Sequence, residues 1–549
     1  MIDHKKIKKR FSGLETERDK WLPYWKDIKT YINPWRGAFD VDPNQPERSD
    51  GKICDLTTLH CCTVLAAGMQ GGLTPRSRPW FRLMVADPEL SAYDPVRYYL
   101  NDVQEAMYNV LSKSNAYNGF HSTYAELGPF GSAAMLVEED YQHGIRCQTF
   151  TAGEFMLASS AQGLANTFAR KFHMTALQLV EQFGLDNVSH TVRRCYQENN
   201  TEQWFTVYHL IEPNDDRIPD CKDAKNKPFR SLYWQDGTEE GKFLRVSGYD
   251  EFPVMAPRWD VVAANIYGIG PGWHALSDSK MLQELQKDKL IAVKKVTSPP
   301  IKTTASVYNR NIPNINPKGI TVVDDPSQAG IAPLFQINPD LSGLQLVIGD
   351  TQQSLRQCFF YDLFLMFAGD DRNNVTATEI ARKNEEKLLV LGPVLERLEH
   401  EFLNPMIDRV YSIMQRNGVL PPPPEEIQGL ELKVEYTSIL AQAQKMVGIT
   451  GIEQVAGFVG NLVAVFSDVA DKFNASVAVE KYADMVGLPP GIVRSAEEVA
   501  KIQQARQQQA EAEQAAQMAM QAAEGAKILS ETDMGGNNAL TQLMGGMGP

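Results

Sequence analysis

At 549 residues, the chain is too long to fold around one hydrophobic core, and the usual size of domains predicts about three or four modules. It carries 54 Lys and Arg residues against 68 Asp and Glu residues, a formal net charge of −14 that argues against a protein coating nucleic acid by phosphate neutralisation. Seven cysteines without a CxxC pair do not match a zinc site or a secreted disulfide framework, so we expect reduced, mostly buried thiols.

The chain shows no targeting or membrane segment. Lys and Arg interrupt the first ten residues, and no window approaches eighteen uninterrupted apolar residues. The sequence therefore predicts a cytosolic protein without a membrane span. Residues 1–36 carry a local excess of Lys and Arg, which is typical either of a solvated helix end or of a surface that contacts anions.

The N-terminal quarter reads as helices followed by a strand. Apolar residues at steps of three and four predict a first helix that Pro23 kinks or splits and that ends before Pro34. Further elements are expected in the following order: a helix over Leu56–Met69, a strand over Trp80–Val85 and a helix over Asp94–Ser112. From about residue 133 to 262, short β-branched and aromatic runs broken by turns predict a mixed α+β module.

Two long helix patterns, here called rods, enclose an insert rich in Pro and Asn at residues 299–339. The first rod runs from Trp273 to Val296, about 36 Å at the rise of an α-helix. Pro lacks the amide donor and clashes with the preceding turn, so the insert cannot extend either rod and the chain returns along the second. Their apolar stripes can pack on each other or on neighbouring copies, and the sequence does not decide which.

The C-terminal part begins with a polar loop and a helix that runs to Met414, with interruptions expected at Pro393 and Pro405. Asn417-Gly418 ends this helix, and the prolines at 421–424 are the clearest linker in the chain. A strand is expected over Leu430–Tyr436, followed by short helices to about residue 500. Residues 501–529 favour a further helix, and the glycine-rich end is predicted to be flexible.

No familiar catalytic motif is present. The phosphate loop GxxxxGK[ST], HExxH and GxSxG are absent from the sequence. The segment from Gly268 to Gly272 could cradle a phosphate at a helix N-terminus, but a turn before a helix explains it better. Asp370-Asp371 without a third ligand indicates a solvated loop, and His60-Cys61-Cys62 lies in an apolar helical run where buried Cys is ordinary. The sequence thus predicts neither an enzyme nor a cofactor or metal site.

Several segments together resemble a known family, the head-to-tail connector or portal proteins of short-tailed, T7-like phages (podoviruses). They are residues 65–75 (LAAGMQGGLTP) with 79–83 (PWFRL), 127–134 (LGPFGSAA), 267–272 (YGIGPG) with Ala275-Leu276 and the rod after it, and 376–380 (TATEI). Their order and spacing over residues 10–415 carry the resemblance.

The resemblance implies an α+β, mainly helical portal fold of wing, stem, clip and crown in a dodecameric ring homo-oligomer. Its scheme divides the chain as follows: an N-terminal wing 1–270, a first stem helix 271–298, a clip 299–339, a second stem helix 340–367, a tunnel loop 368–376, a long wing helix 377–418, a crown 419–500 and a barrel-like C-terminal helix with a flexible tail 501–549. The ring would occupy one capsid vertex of the virion after assembly in the host cytoplasm. It would contact capsid or scaffold proteins at the wing, and terminase and then tail adaptor or nozzle proteins at the clip. It would pass double-stranded DNA of any sequence inward during packaging and outward at ejection, while a separate terminase hydrolyses ATP.

Three groups of residues are candidate sites within this scheme. The tunnel loop comprises Gly369, Asp370, Asp371, Arg372, Asn373 and Asn374, and the clip positions expected to bind partners are Tyr308, Asn309 and Arg310. Lys287, Lys294 and Lys295 of the first rod either make transient phosphate contacts in the channel or lie at the rim or in salt bridges between subunits. Two other classes remain open: a ring-forming scaffold or pore without DNA transit, and an enzyme with an unrecognised site between modules.

Overall fold

The computed structural model describes residues 3–39, 52–87, 90, 93–218, 221, 223–236, 242–297, 301–302, 332–333, 341–368, 389–430, 432–438, 440, 449–463 and scattered positions between 472 and 521. The chain divides into two compact units, Met1–Gly448 and Ile449–Pro549. Helices predominate among the described residues, and the expected mixture of helix and strand is confirmed.

The first unit starts with helices and one strand, in an order close to the expected one. In chain order they are α1 (His4–Asp19), α2 (Leu22–Tyr31), α3 (Thr57–Leu73), β1 (Phe81–Val85), α4 (Asp94–Lys113) and α5 (Ala116–Phe130). Helix α5 was not expected. The predicted split at Pro23 is confirmed: α1 ends at Asp19, and Pro23 lies in the first turn of α2, where its missing amide hydrogen is not needed.

Two antiparallel sheets follow. Their strands are β2 (Ala134–Asp140), β3 (Gly144–Phe150), β4 (Phe155–Ser159), β5 (Ala165–Thr175), β6 (Trp204–Pro213), β7 (Phe229–Gln235), β8 (Arg245–Tyr249) and β9 (Val254–Met255), with α6 (Ala176–Phe183) and α7 (His190–Gln197) between β5 and β6. One sheet has the order β4-β5-β6-β7-β8 and the other β3-β2-β9. Helix α1 packs on the larger sheet, where the ring of Phe11 lies 5.3 Å from the rings of Tyr208 and Trp234. The basic N-terminus is anchored there as well, since Lys8 pairs with Asp236.

The rods begin where two glycine-containing segments meet. Helix α5 ends at Gly131, whose φ of +78° is the left-handed conformation that glycine adopts without strain. A Cβ on Gly268 would lie 2.5 Å from the Gly131 carbonyl oxygen, and one on Gly270 would lie 2.8 Å from the carbonyl oxygen of Gly128. The segment 267–272 is therefore a turn whose glycines allow backbone to pack on backbone, as expected, and α8 (Pro271–Thr297) starts directly from it.

The second rod departs from the prediction. It is expected as one helix over 340–367, but it consists of α9 (Leu341–Cys358) and α10 (Tyr361–Ala368). Phe360 has a φ of +52°, a conformation that a bulky residue rarely adopts and that breaks the helix between the two. Within the insert, β10 (Ile301–Lys302) pairs antiparallel with β11 (Ala332–Pro333).

The last part of the first unit corrects one expectation and confirms two others. Residues 389–398 form α11, which continues without a break across Pro393. The interruption expected at Pro405 is present as a π-helical turn over Glu399–Leu403, after which α12 (Asn404–Arg416) starts with the proline in its first turn. The helix ends at Asn417, as expected.

Beyond the proline-rich linker, the chain returns to strand β1 in the N-terminal part of the first unit. Strand β12 (Leu432–Tyr436) pairs antiparallel with β1, with Phe81 opposite Tyr436. The compact unit ends only after Gly448, so the segment boundary expected at residue 419 is not a boundary between units. Propensity alone could predict the strand, but its partner lies some 350 residues earlier in the chain.

In the second unit the structure describes α13 (Ile449–Val463) and scattered, mostly helical positions up to residue 521. Across the described part of the chain, no helix combines the length and hydropathy that a membrane span requires.

Candidate channel and subunit surfaces

The rod helices α8 and α9 lie side by side and antiparallel. Ser354 of α9 donates a hydrogen bond of 2.8 Å to the carboxylate of Asp278 in α8. Farther along α8, Lys289 contacts Gln345, which lies nearer the start of α9. The chain therefore leaves along α8 and comes back along α9, as the sequence predicts.

One half of the rod pair is embedded in the first unit. These embedded halves are residues 271–283 of α8 and 348–358 of α9, and they pack on α2, α3 and α5. Leu282 of α8 and Ile348 and Leu355 of α9 are fully buried. Polar side chains are also satisfied here, because the hydroxyl of Ser279 donates to the carbonyl oxygen of Tyr31 at 2.8 Å.

Asp55, in the loop before α3, joins both rods to the wing segment. Its carboxylate accepts hydrogen bonds from Gln286 of α8 at 2.8 Å, from Gln352 of α9 at 2.7 Å and from the amide of Thr57 at 2.8 Å. Burial alone would raise the pKa of Asp55, but these hydrogen bonds outweigh it and hold the pKa below its usual value. Gln283 completes the contact by accepting from the backbone amide of Asp55 at 2.8 Å. The sequence did not predict this hydrogen-bonded network, since Asp55 lies far along the chain from the glutamines that contact it.

The other half of the rod pair is largely uncovered within the described chain, although Leu344 is partly buried against the core. These distal halves are residues 290–297 of α8 and 341–347 of α9, and none of their side chains is buried. The apolar residues among them are largely exposed: Leu290 54%, Ile291 40%, Val293 38%, Val296 52%, Leu341 36%, Leu346 65% and Val347 46%. Exposed apolar surface of this extent on neighbouring helices marks a site of protein association.

The three candidate lysines of the first rod are all exposed. Among the residues that the structure describes, none of the three has an ion-pair partner within 4 Å. An α-helix turns by about 100° per residue, so Lys287 and Lys294, seven residues apart, share one face. Lys295 points about 100° away from Lys294 and belongs to another face. The three lysines therefore lie on two adjacent faces of α8.

The other candidate sites are partly outside the described residues. The described residues do not include the tunnel loop, Gly369 to Asn374, or the clip positions Tyr308, Asn309 and Arg310.

His60 is described and exposed, and its Nε2 atom lies 3.1 Å from the hydroxyl oxygen of Tyr361. Burial raises the pKa of the neighbouring Cys61 to about 12, so this thiol stays protonated and unreactive at neutral pH.

The remaining cysteines and acids show no catalytic grouping in the described segments. All seven cysteines are free thiols, and four are buried, which confirms the expectation of mostly buried thiols: Cys61, Cys62, Cys147 and Cys195. Within the described part of the chain, no three His, Cys, Asp or Glu side chains are placed to hold a metal ion.

Comparison with known proteins identifies the family. A model of the family described as bacteriophage head to tail connecting protein matches residues 4–493. The chain belongs to this family. The resemblance inferred from the glycine-containing segments and the rods is thereby confirmed. The surfaces described above are therefore surfaces of a head-to-tail connecting protein.

Two relatives match this connecting protein over its whole length. It is 40% identical to a portal protein of Salmonella phage epsilon15 across 549 residues, covering 100% of this chain and 99% of the relative. It is 39% identical to a probable portal protein of Bordetella phage BPP-1 across 543 residues, covering 98% of each chain.

Solved structures share less with the chain. A chain in the neck of an empty gene transfer agent particle, computed with C6 symmetry, is 10% identical, with a TM-score of 0.39 and coverage of 80% of this chain and 92% of the other. A chain in the virion of a native gene transfer agent particle is 9% identical, with a TM-score of 0.35 and coverage of 82% and 97%.

Proposed function

We propose that the chain is the portal of a phage virion: twelve copies form a ring at one capsid vertex. Double-stranded DNA enters through this ring during packaging, driven by a separate terminase that hydrolyses ATP. The same ring then attaches the tail and lets the DNA out at ejection. Family membership supports the connecting role, and we assign no catalytic step and no cofactor to this chain.

The observation that carries the ring is the bare distal half of the rod pair. In a closed ring each copy must present two different surfaces, one to each neighbour. The exposed apolar residues lie on both rods, with Leu290 and Val296 on α8 and Leu346 and Val347 on α9. One copy's α8 packing on the next copy's α9 would bury them and make the wall of a channel.

The charge of the chain suits a passage that does not hold DNA tightly. Twelve copies at −14 each would carry a formal charge of −168. Every phosphate that a protein neutralises adds salt-dependent affinity, and therefore drag on a moving duplex. Lys287 and Lys294, about 10.5 Å apart along one face of α8, would make only brief phosphate contacts on the channel side. Lys295 would then lie at a contact between copies.

The remaining segments take the following places in this arrangement. The loop Gly369–Asn374 would line the narrowest passage, and Tyr308, Asn309 and Arg310 in the clip would bind terminase and later the tail adaptor. The wing would meet capsid or scaffold proteins. A crown would comprise the second unit, starting after Gly448, because β12 belongs with the wing.

Imaging the purified chain tests the ring. Negative-stain views along the axis, with native mass spectrometry for the copy number, should show twelve copies around a lumen wide enough for a DNA duplex. A stable monomer, or a ring too narrow for a duplex, would contradict the proposal.

Two phage-based experiments test the tunnel-loop assignment and the clip assignment. Deleting residues 369–374 should leave rings intact and lower the yield of packaged genomes; a normal yield would remove the tunnel-loop assignment. Replacing Tyr308 and Asn309 by Ala should weaken capture of terminase by the ring, and unchanged capture would count against the clip assignment.

A packaging assay distinguishes the role of Lys287 and Lys294 from that of Lys295. Lys287→Gln with Lys294→Gln should change the rate of packaging, whereas Lys295→Gln should change ring stability only. If Lys295→Gln alters packaging as strongly as the double variant, the division of the lysines between two faces is wrong.

A further inference from the structure

A polar cleft lies in the wing segment, away from the rods. It has a volume of about 1070 Å³ and is bordered by α1, β3, β5 and α6. Pockets that hold ligands commonly enclose about 300–1000 Å³. The cleft is therefore large enough for a peptide segment of several residues.

Arg170 of β5 lines this cleft and is unusual among the buried arginines. Three arginines are buried in the described chain, at exposures of 2–6%. Arg258 forms a bidentate pair with Glu401, and Arg409 pairs with Glu251. Arg170 is 6% exposed, and no carboxylate of the described residues lies within 4 Å of its guanidinium. Arg170 also hydrogen-bonds to Tyr233, but this neutral hydroxyl does not balance its charge. A buried charge without a counterion is strongly unfavourable, so its retention in a cleft indicates a missing anion.

The surroundings hold the guanidinium of Arg170 ready for such a partner. Its centre lies 4.8 Å from the ring of Phe150 and 4.1 Å from the ring of Phe172. Aromatic faces support the flat sides of a guanidinium, so the N–H groups of Arg170 that do not contact Tyr233 can meet an oxyanion. The Nε atom is buried and has no hydrogen-bond partner among the described residues.

The nearby carboxyl group of Glu154 does not replace the missing anion. Burial is the largest influence on the pKa of Glu154 and raises it, although the charge of Arg170 acts in the opposite direction. A raised pKa means that Glu154 binds its proton more readily than a free glutamate does.

We propose that this cleft binds an acidic segment of a partner protein, with a carboxylate of that segment on the guanidinium of Arg170. The lining carries charges of both signs, since Glu15 and Glu138 are balanced by Arg18, Arg146 and Lys171. A peptide whose carboxylates are spaced along a chain fits such a surface better than the concentrated charge of a polyphosphate. Three glutamines on the rim, Gln148, Gln178 and Gln182, offer amide groups to a peptide backbone.

The test uses the full-length chain and a defined probe at physiological salt. Isothermal titration with N-acetylated hexaglutamate should show saturable binding, whereas hexaglutamine and inorganic phosphate should bind at least tenfold more weakly. Arg170→Met should weaken hexaglutamate binding at least tenfold. Arg170→Lys keeps the charge but loses the two-pronged geometry, and we expect an intermediate loss.

A matched control is Arg194→Met on α7, because Arg194 pairs with Glu198 and both side chains are exposed. Its affinity for hexaglutamate should stay within twofold of wild type. Should Arg170→Met fail to fold, a benzophenone-labelled hexaglutamate on the unaltered chain should cross-link to residues that line the cleft, on α1, β3, β5 or α6. Absent binding of hexaglutamate, equal binding of phosphate, cross-links elsewhere, or an Arg170→Met affinity within twofold of wild type would overturn the proposal.

Discussion

The two halves of the rod pair differ in what surrounds them, although the same helices run through both. In the embedded halves, Leu282 and Ile348 are fully buried, and Asp55 links α8 and α9 to the loop before α3. In the distal halves, Leu290 and Leu346 are exposed and no other described element covers them. A single chain thus supplies the packing for half of each rod, and in the proposed ring a second chain would cover the other half.

Replacing a leucine by alanine should give the largest difference in free energy of unfolding between the two halves. Leu282→Ala, in the embedded half, should lower the free energy of unfolding by about 2–5 kcal/mol, because it leaves a cavity in a packed core. Leu290→Ala is the same substitution eight residues along α8, at 54% exposure, and should change it by less than about 0.5 kcal/mol. Urea unfolding of the dilute, monomeric chain gives both values, and equal losses would remove the distinction.

Glycine substitutions compare the packed start of the rods with the exposed surface of α9. A Cβ on Gly272 would overlap the carbonyl oxygen of Pro129, so Gly272→Ala should destabilise the chain by about 1–3 kcal/mol. A Cβ on Gly349 in α9 would meet nothing within 4 Å, and Gly349→Ala should stabilise it by about 0.5–1 kcal/mol. Thermal unfolding measures both. A tolerated Gly272→Ala would show that the backbone contact between 127–131 and 267–272 is not needed.

The carboxylate of Asp55 makes the embedded half sensitive to acid. Asp55→Ala leaves the amides of Gln286 and Gln352 without their acceptor and should cost about 1–2 kcal/mol at pH 7. The folded-state pKa is lowered, so this contribution is present above the unfolded pKa of about 3.9 and is lost as the pH falls through the folded value. Unfolding measured from pH 7 to pH 3 should show the difference between wild type and variant constant at first and then shrinking. A difference independent of pH would contradict the role of the ionised carboxylate.

The rods and the turn before them could be predicted because their signals are local. The pattern over 273–296 has helical spacing, Pro23 and the glycines at 268–272 are local breakers, and the structure confirms each of these. The break at Phe360 could not be predicted, since nothing in the sequence there disfavours a helix. Tertiary packing overrides local preference at such a position.

The polar contacts that organise the candidate surfaces were also invisible in the sequence. Asp55 meets Gln352, and Arg258 meets Glu401, across long stretches of chain that only the fold brings together. Arg170 gives no local signal either, because its importance comes from being buried without a counterion. Spacing in a sequence reports helix faces and turns, whereas a network of distant polar groups requires the structure.

The most direct measurement is the copy number of a variant altered only in the distal half. Native mass spectrometry of Leu346→Asp, beside Gln353→Asp as an exposed polar control on the same helix, should show monomers for the first and rings for the second. The folded monomer should be equally stable in both, because neither side chain is buried within one chain. Intact rings of Leu346→Asp would contradict the claim that copies of this chain cover the distal rods.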